Sequence, residues 1–144
     1  MLTFLAGSLC GSIAMALWVA RPKPRYQDVC LEWAEMCFRP SVVNDVRERL
    51  RRFLEEALEL VQSLGLPRET AHRLVDYVYD RPVGNPDQEV GGVGVTLGVL
   101  CSVVSIDMEE CFDVELDRIL QPEVMEKVRA KQAAKIAAGV GMES

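Results

Sequence analysis

From Val90 to Ile106 the chain carries no charged side chain. A helix of that kind is apolar on every side, so it cannot lie on a surface and has to be buried all round. Gly91, Gly92, Gly94 and Gly98 fall within it, and each weakens a helix by about 1 kcal/mol relative to alanine. Close approach of a neighbouring helix or of a ligand is the expected compensation. A membrane span is the competing reading, but a glycine-rich run this short is marginal against a hydrocarbon core of about 30 Å.

The punctuation around this run is that of an all-α domain occupying residues 26–144. Segment 26–38 places Val29, Trp33, Met36 and Cys37 on one helical stripe and is stopped by Arg39-Pro40. Ser41 or Asn44 can cap a second helix reaching about Leu64, with Gly65 at its C′ position and Pro67 at N1 of a third helix ending near Tyr79. Asn85 and Pro86 open the apolar fourth helix, which extends to about Ser105. Asp107 and Glu110 form a D-x-x-E capping box for a fifth, which Pro122 breaks before Glu123–Ala137 resumes it with a basic face. Neither strand alternation nor an internal repeat is present.

A second uncharged run, Met1 to Ala20, is long enough to span a bilayer. It ends at Trp18, and Arg21-Pro-Lys-Pro-Arg25 follows as a short, stiff basic linker. With the positive charge after the run and none before it, the charge rule leaves the following domain in the cytoplasm, anchored to the inner membrane. The alternative is a soluble cytoplasmic protein in which these residues are a loosely attached extension or a mis-assigned start. A secretory signal lacks its basic opening region, and Leu9 before Cys10 spoils a lipobox.

Composition narrows the partners. With 16 Lys+Arg against 22 Asp+Glu the net charge is −6 and the pI about 4.9, which excludes a nucleic-acid coat. The five cysteines have no C-x-x-C spacing and only one histidine, His72, accompanies them; buried free thiols are expected, not a zinc site or a disulfide framework. His72 and Asp76, four residues apart, suit a local hydrogen bond better than a catalytic dyad.

The carboxylates carry the chemistry. On the second helix Leu50, Phe53, Leu54, Ala57, Leu58, Leu60 and Val61 form a broad apolar face, and Arg52, Glu56, Glu59 and Ser63 form a polar stripe beside it. Glu56 and Glu59 are neighbours at i, i+3. Glu89 is the only acid between Gln88 and Ile106, where the apolar fourth helix begins. Side-by-side packing of these helices would let three carboxylates meet, and an all-oxygen set selects Mg²⁺ or Mn²⁺. Against this stand ordinary surface patterning of glutamates and a favourable helix dipole for Asp87 and Glu89.

Three stretches, RFLEEALELVQ (52–62), DYVYDRPVGNPDQEVGGVGVTLGVLC (76–101) and KVRAKQAAK (127–135), resemble the phage and bacterial MazG-like proteins, all-α nucleoside triphosphate pyrophosphohydrolases. The resemblance covers roughly residues 28–135. It implies a four- to five-helix bundle, a homodimer or homotetramer, and Mg²⁺ held by an ExxE on one helix and an ExxD on another. Carried over by position, the metal ligands are Glu56, Glu59 and Glu89, with Glu55 or Glu59 as the catalytic carboxylate that orients water toward the α-phosphorus. Lys127, Arg129 and Lys131 are candidates to neutralise the phosphates, and Arg52 a further one, though a helix salt bridge suits Arg52 better. Trp33 is available to stack on a base or to pack in the core. Gly92 stands where the family has its second-helix aspartate; one ion instead of two, recruitment of Asp76, Asp80 or Asp87, and loss of turnover are the alternatives. The functional alternative is a catalytically impaired helical nucleotide-binding or scaffold module on this fold, tethered to a membrane.

Overall fold

In the computed structural model residues 25–137 are described, and they form seven helices with no strand. The helices are α1 (Tyr26–Cys37), α2 (Pro40–Val43), α3 (Val46–Ser63), α4 (Arg68–Tyr79), α5 (Pro86–Val103), α6 (Met108–Ile119) and α7 (Pro122–Ala137). The chain divides into two units, Met1–Glu32 and Trp33–Ser144. In the described part of the first, Arg25 pairs with Asp28 at 2.8 Å at the start of α1. The hydrophobic helix expected over 1–20 lies outside the described residues.

The caps explain most of the boundaries. Asn85 accepts from the amides of Asp87 and Gln88, with Pro86 at the first helical position of α5. Asp107 accepts from the Glu110 amide at 3.0 Å, which is half of a capping box. Gly65, at φ 89°, ends α3 in a Schellman motif: its amide bonds the Gln62 carbonyl and the next amide, Leu66, bonds Val61, both at 2.9 Å. Two expectations are corrected. The cap of α3 is Asp45, not Ser41 or Asn44, because Pro40–Val43 closes its own short turn and leaves Asp45 extended with its carboxylate free to reach Arg47 and Glu48. Pro67 is the N-cap of α4, not its first helical residue, and its carbonyl takes the Thr70 and Ala71 amides.

Burial is the larger difference. Among the described residues only Ala34, Cys37 and Val43 are buried apolar side chains, all near the α1–α2 corner. Every residue from His72 to Thr96 is exposed. Val90 is 73% and Val103 76% exposed, so among the described residues α5 is not enclosed as its sequence demands. Nor do its glycines make a close approach: a Cβ added at Gly91, Gly92, Gly94 or Gly98 would meet nothing within 4 Å. The apolar face of α3 is likewise open, with Leu50 63% and Phe53 56% exposed. Among the described residues no single helix is long and apolar enough to cross a membrane; α5 and α6 pass together but are bent by 103° at their junction.

Candidate functional site

Helix α3 turns the N-terminal part of its polar stripe toward the rest of its unit. Arg49, Arg52 and Glu56, spaced three and four residues apart and hence on one helical face, line a cavity of about 280 Å³. The facing wall from α7 uses the same period, with Val128, Lys131, Gln132 and Lys135. Helix α6 adds Glu115, Arg118 and Ile119, and Trp33 and Phe38 close the α1 side. Five cationic side chains thus meet two carboxylates in one cavity of a chain whose net charge is −6.

The two aromatics are fixed in place. The Trp33 indole N–H donates to the Ile119 carbonyl oxygen at 3.1 Å, and its ring meets Phe38 edge to face with centroids 5.8 Å apart. The Arg49 guanidinium lies over Phe38, 5.7 Å from the ring centroid.

The cations are unevenly satisfied. Arg118 is held by Glu115 through bonds of 2.7 and 2.6 Å, and the hydrogen bond from Arg118 holds the Glu115 carboxyl below its ordinary pKa despite some burial. Arg52 is paired with Glu55 and, at 3.9 Å, with Glu56. Lys135 reaches both Glu55 oxygens at 3.3 Å. Burial pushes the Glu55 carboxyl up, but Lys135 and Arg52 together outweigh it and leave the pKa lowered. Arg49 has only Glu48, at 3.8 Å, and its buried Nε has no hydrogen-bond acceptor. Lys131 makes no ion pair among the described residues.

Of the residues singled out in the sequence, Arg52, Glu56 and Lys131 come together at this cavity. Glu55 is committed to Arg52 and Lys135. Glu59 is exposed one turn beyond Glu56 and is not a lining residue. Glu89 is not brought to that pair: its carboxylate folds against Gly84 of the preceding loop, in the space a Cβ there would fill. Among the described residues no three His, Cys, Asp or Glu side chains gather as a metal site. Arg129 donates to the Met36 carbonyl at 2.8 Å and is not a lining residue, and Lys127 is exposed and does not line the cavity either. Asp76, Asp80 and Asp87 are exposed on α4, the loop and α5, and no side-chain hydrogen bond joins His72 to Asp76. Cys30, Cys37, Cys101 and Cys111 are free thiols.

Sequence reasoning missed Arg49, Arg118 and Lys135. Arg49 had a signal, since it extends the Arg52–Glu56 stripe by one turn. Lys135 follows Lys131 at i+4, the spacing that puts both on one wall. Arg118 had none, because its arrival depends on how α6 meets α3. No family model matches the chain, and no curated protein or solved structure matches it.

Proposed function

We propose that the chain is a nucleoside triphosphate pyrophosphohydrolase of the MazG-like kind, converting a nucleoside triphosphate and water to a monophosphate and pyrophosphate. One observation carries the reading. Arg52 and Glu56 from the RFLEEALELVQ stretch and Lys131 from the KVRAKQAAK stretch, far apart in sequence, line one cavity. The cations there suit the phosphates of the substrate, and Glu56 is the acid at hand to orient a water for attack at phosphorus.

Magnesium or manganese belongs to the proposal. Magnesium is commonly bound by one or two carboxylates together with substrate phosphates and water, and the exposed, lightly compensated pair Glu56 and Glu59 meets that need; Glu55, tied to two cations, does not. Such an ion would supply charge neutralisation on the phosphoryl oxygens. The chain's own part is to hold the phosphates through Arg52 and Lys131 and to orient water through Glu56.

The open α5 and the open apolar face of α3 need covering, and a second copy of the chain is the proposed cover. A helix of 18 residues is about 27 Å long and about 10 Å across. Covering two such helices along one side therefore removes an area of the order of the roughly 800 Å² per partner of a stable interface. A homodimer or homotetramer is the proposed state.

The test is pyrophosphate release by the full chain from a panel of canonical and modified nucleoside triphosphates, with and without Mg²⁺. Metal-dependent release that falls at least a hundredfold in Glu56→Gln is the expected result. No release from any triphosphate at high protein concentration overturns the proposal. It would favour the second reading, a nucleotide-binding or scaffold module without turnover, for which Gly92 and the lack of a three-carboxylate group among the described residues speak.

A further inference from the structure

We infer that the cavity between α1, α3, α6 and α7 binds a linear phosphate chain through a cationic set wider than the proposed function requires, with Arg49, Arg118 and Lys135 joining Arg52 and Lys131. The inference rests on the reading of this cavity as the phosphate end of the substrate site, but not on turnover.

The first observation is the local reversal of charge. Five cations against two acids leave the lining positive in a protein that is acidic as a whole. Like charges gathered from three helices repel one another, and internal pairing relieves only part of this. Arg118 has Glu115, and Arg52 and Lys135 share Glu55. Arg49 has only the longer 3.8 Å pair with Glu48, and Lys131, on the α7 wall, has no ion pair among the described residues.

The second observation is the Arg49 Nε, buried and without an acceptor. A guanidinium has five donors in a fixed fork and accepts nothing, and the fold answers this one only with Glu48 at 3.8 Å and the face of Phe38. Two or three linked phosphates would offer oxygen acceptors to its outer N–H groups and to the α7 lysines at once. At about 280 Å³ the cavity is at the small end of ligand sites, about 300–1,000 Å³, a size that admits a short phosphate chain. The shared chemistry is that of a nucleoside polyphosphate and of inorganic polyphosphate.

Titration calorimetry of the full chain in EDTA, first with inorganic tripolyphosphate and then with a nucleoside triphosphate, tests the inference with the divalent cation removed. One tripolyphosphate per chain is expected, with affinity that falls as salt is added. Arg49→Met and Lys131→Met should each weaken it at least tenfold, and Arg73→Met, on exposed α4, should leave it unchanged. Tighter binding of the nucleotide than of tripolyphosphate assigns the site to a nucleotide; equal binding assigns it to phosphate alone, and either supports the inference. Absence of binding for both at millimolar concentration, or equal weakening by Arg73→Met, overturns it. Should Arg49→Met fail to fold, Lys131→Met, at the exposed mouth, decides alone. Binding in EDTA together with no pyrophosphate release in the separate assay with Mg²⁺ would sink the hydrolase reading and leave this one standing.

Discussion

Trp33 and Ile119 are joined across 86 positions of sequence by the bond from the indole N–H to the last carbonyl of α6. That carbonyl is one of the four a helix end leaves without an intrahelical partner, so the bond both satisfies it and ties α1 to the far end of α6. Because Trp33 is also an edge of the cavity, stability and binding are coupled there. Trp33→Phe keeps an aromatic ring but removes the donor, and should cost about 1 kcal/mol in urea unfolding. A variant as stable as the parent would show that water replaces the indole without loss.

Glu55 gives the protein a defined acid sensitivity. Its pKa is lowered in the folded state, with burial opposed and outweighed by Lys135 and Arg52. A carboxylate of this kind contributes stability that is fully present above its unfolded pKa of about 4.3. The contribution is lost as pH falls through the lower folded value. Glu55 is more than a third exposed, so solvent screening limits the Lys135 pair to about 0.5 kcal/mol. Lys135→Met should therefore lower stability by about that much at pH 6–7, and the gap to the parent should close below about pH 4. A gap that widened toward acid would contradict the sign.

The helices were legible because their stops are local. Gly65, Asn85-Pro86 and Asp107 act through hydrogen bonds to residues within a few positions, and each works where the pattern put it. Asp45 was passed over for Asn44 because the four-residue turn of α2, which shifts the cap by one, leaves no periodic trace in so short a segment. The candidate site was half legible. Residues on one stripe of α3 and one stripe of α7 follow from the 3.6-residue period, but which stripes face each other depends on packing, and so Arg118 was invisible. The burial demanded by Val90–Ile106 was legible as a demand only; nothing in a single chain says which surface meets it.

The two Schellman endings offer a matched pair of substitutions. Ser105, at φ 59°, closes α5 as Gly65 closes α3, with the Ile106 amide bonded to the Cys101 carbonyl at 2.9 Å. A side chain in this left-handed conformation is strained, and glycine is not. Ser105→Gly should stabilise by about 0.5–1 kcal/mol and Gly65→Ala should destabilise by about 1 kcal/mol or more. Thermal unfolding of the two variants, moving in opposite directions, is the check.

Helix α5 provides the sharpest test of association. In one chain its glycines have open space beside them, so alanine at Gly94 or Gly98 should improve the helix by about 1 kcal/mol and change nothing else. If a second copy packs against that face, the added methyl groups meet it, and the same substitutions weaken the oligomer while strengthening the isolated helix. Sedimentation of the full chain should show a dimer or larger species that Gly98→Ala shifts toward monomer. Val99→Glu, which puts a charge on the same uncovered helix, should dissociate it outright. A monomer in the parent at micromolar concentration would leave α5 exposed to water along its length, against the reason its uncharged sequence exists, and would remove the second copy from the proposed function.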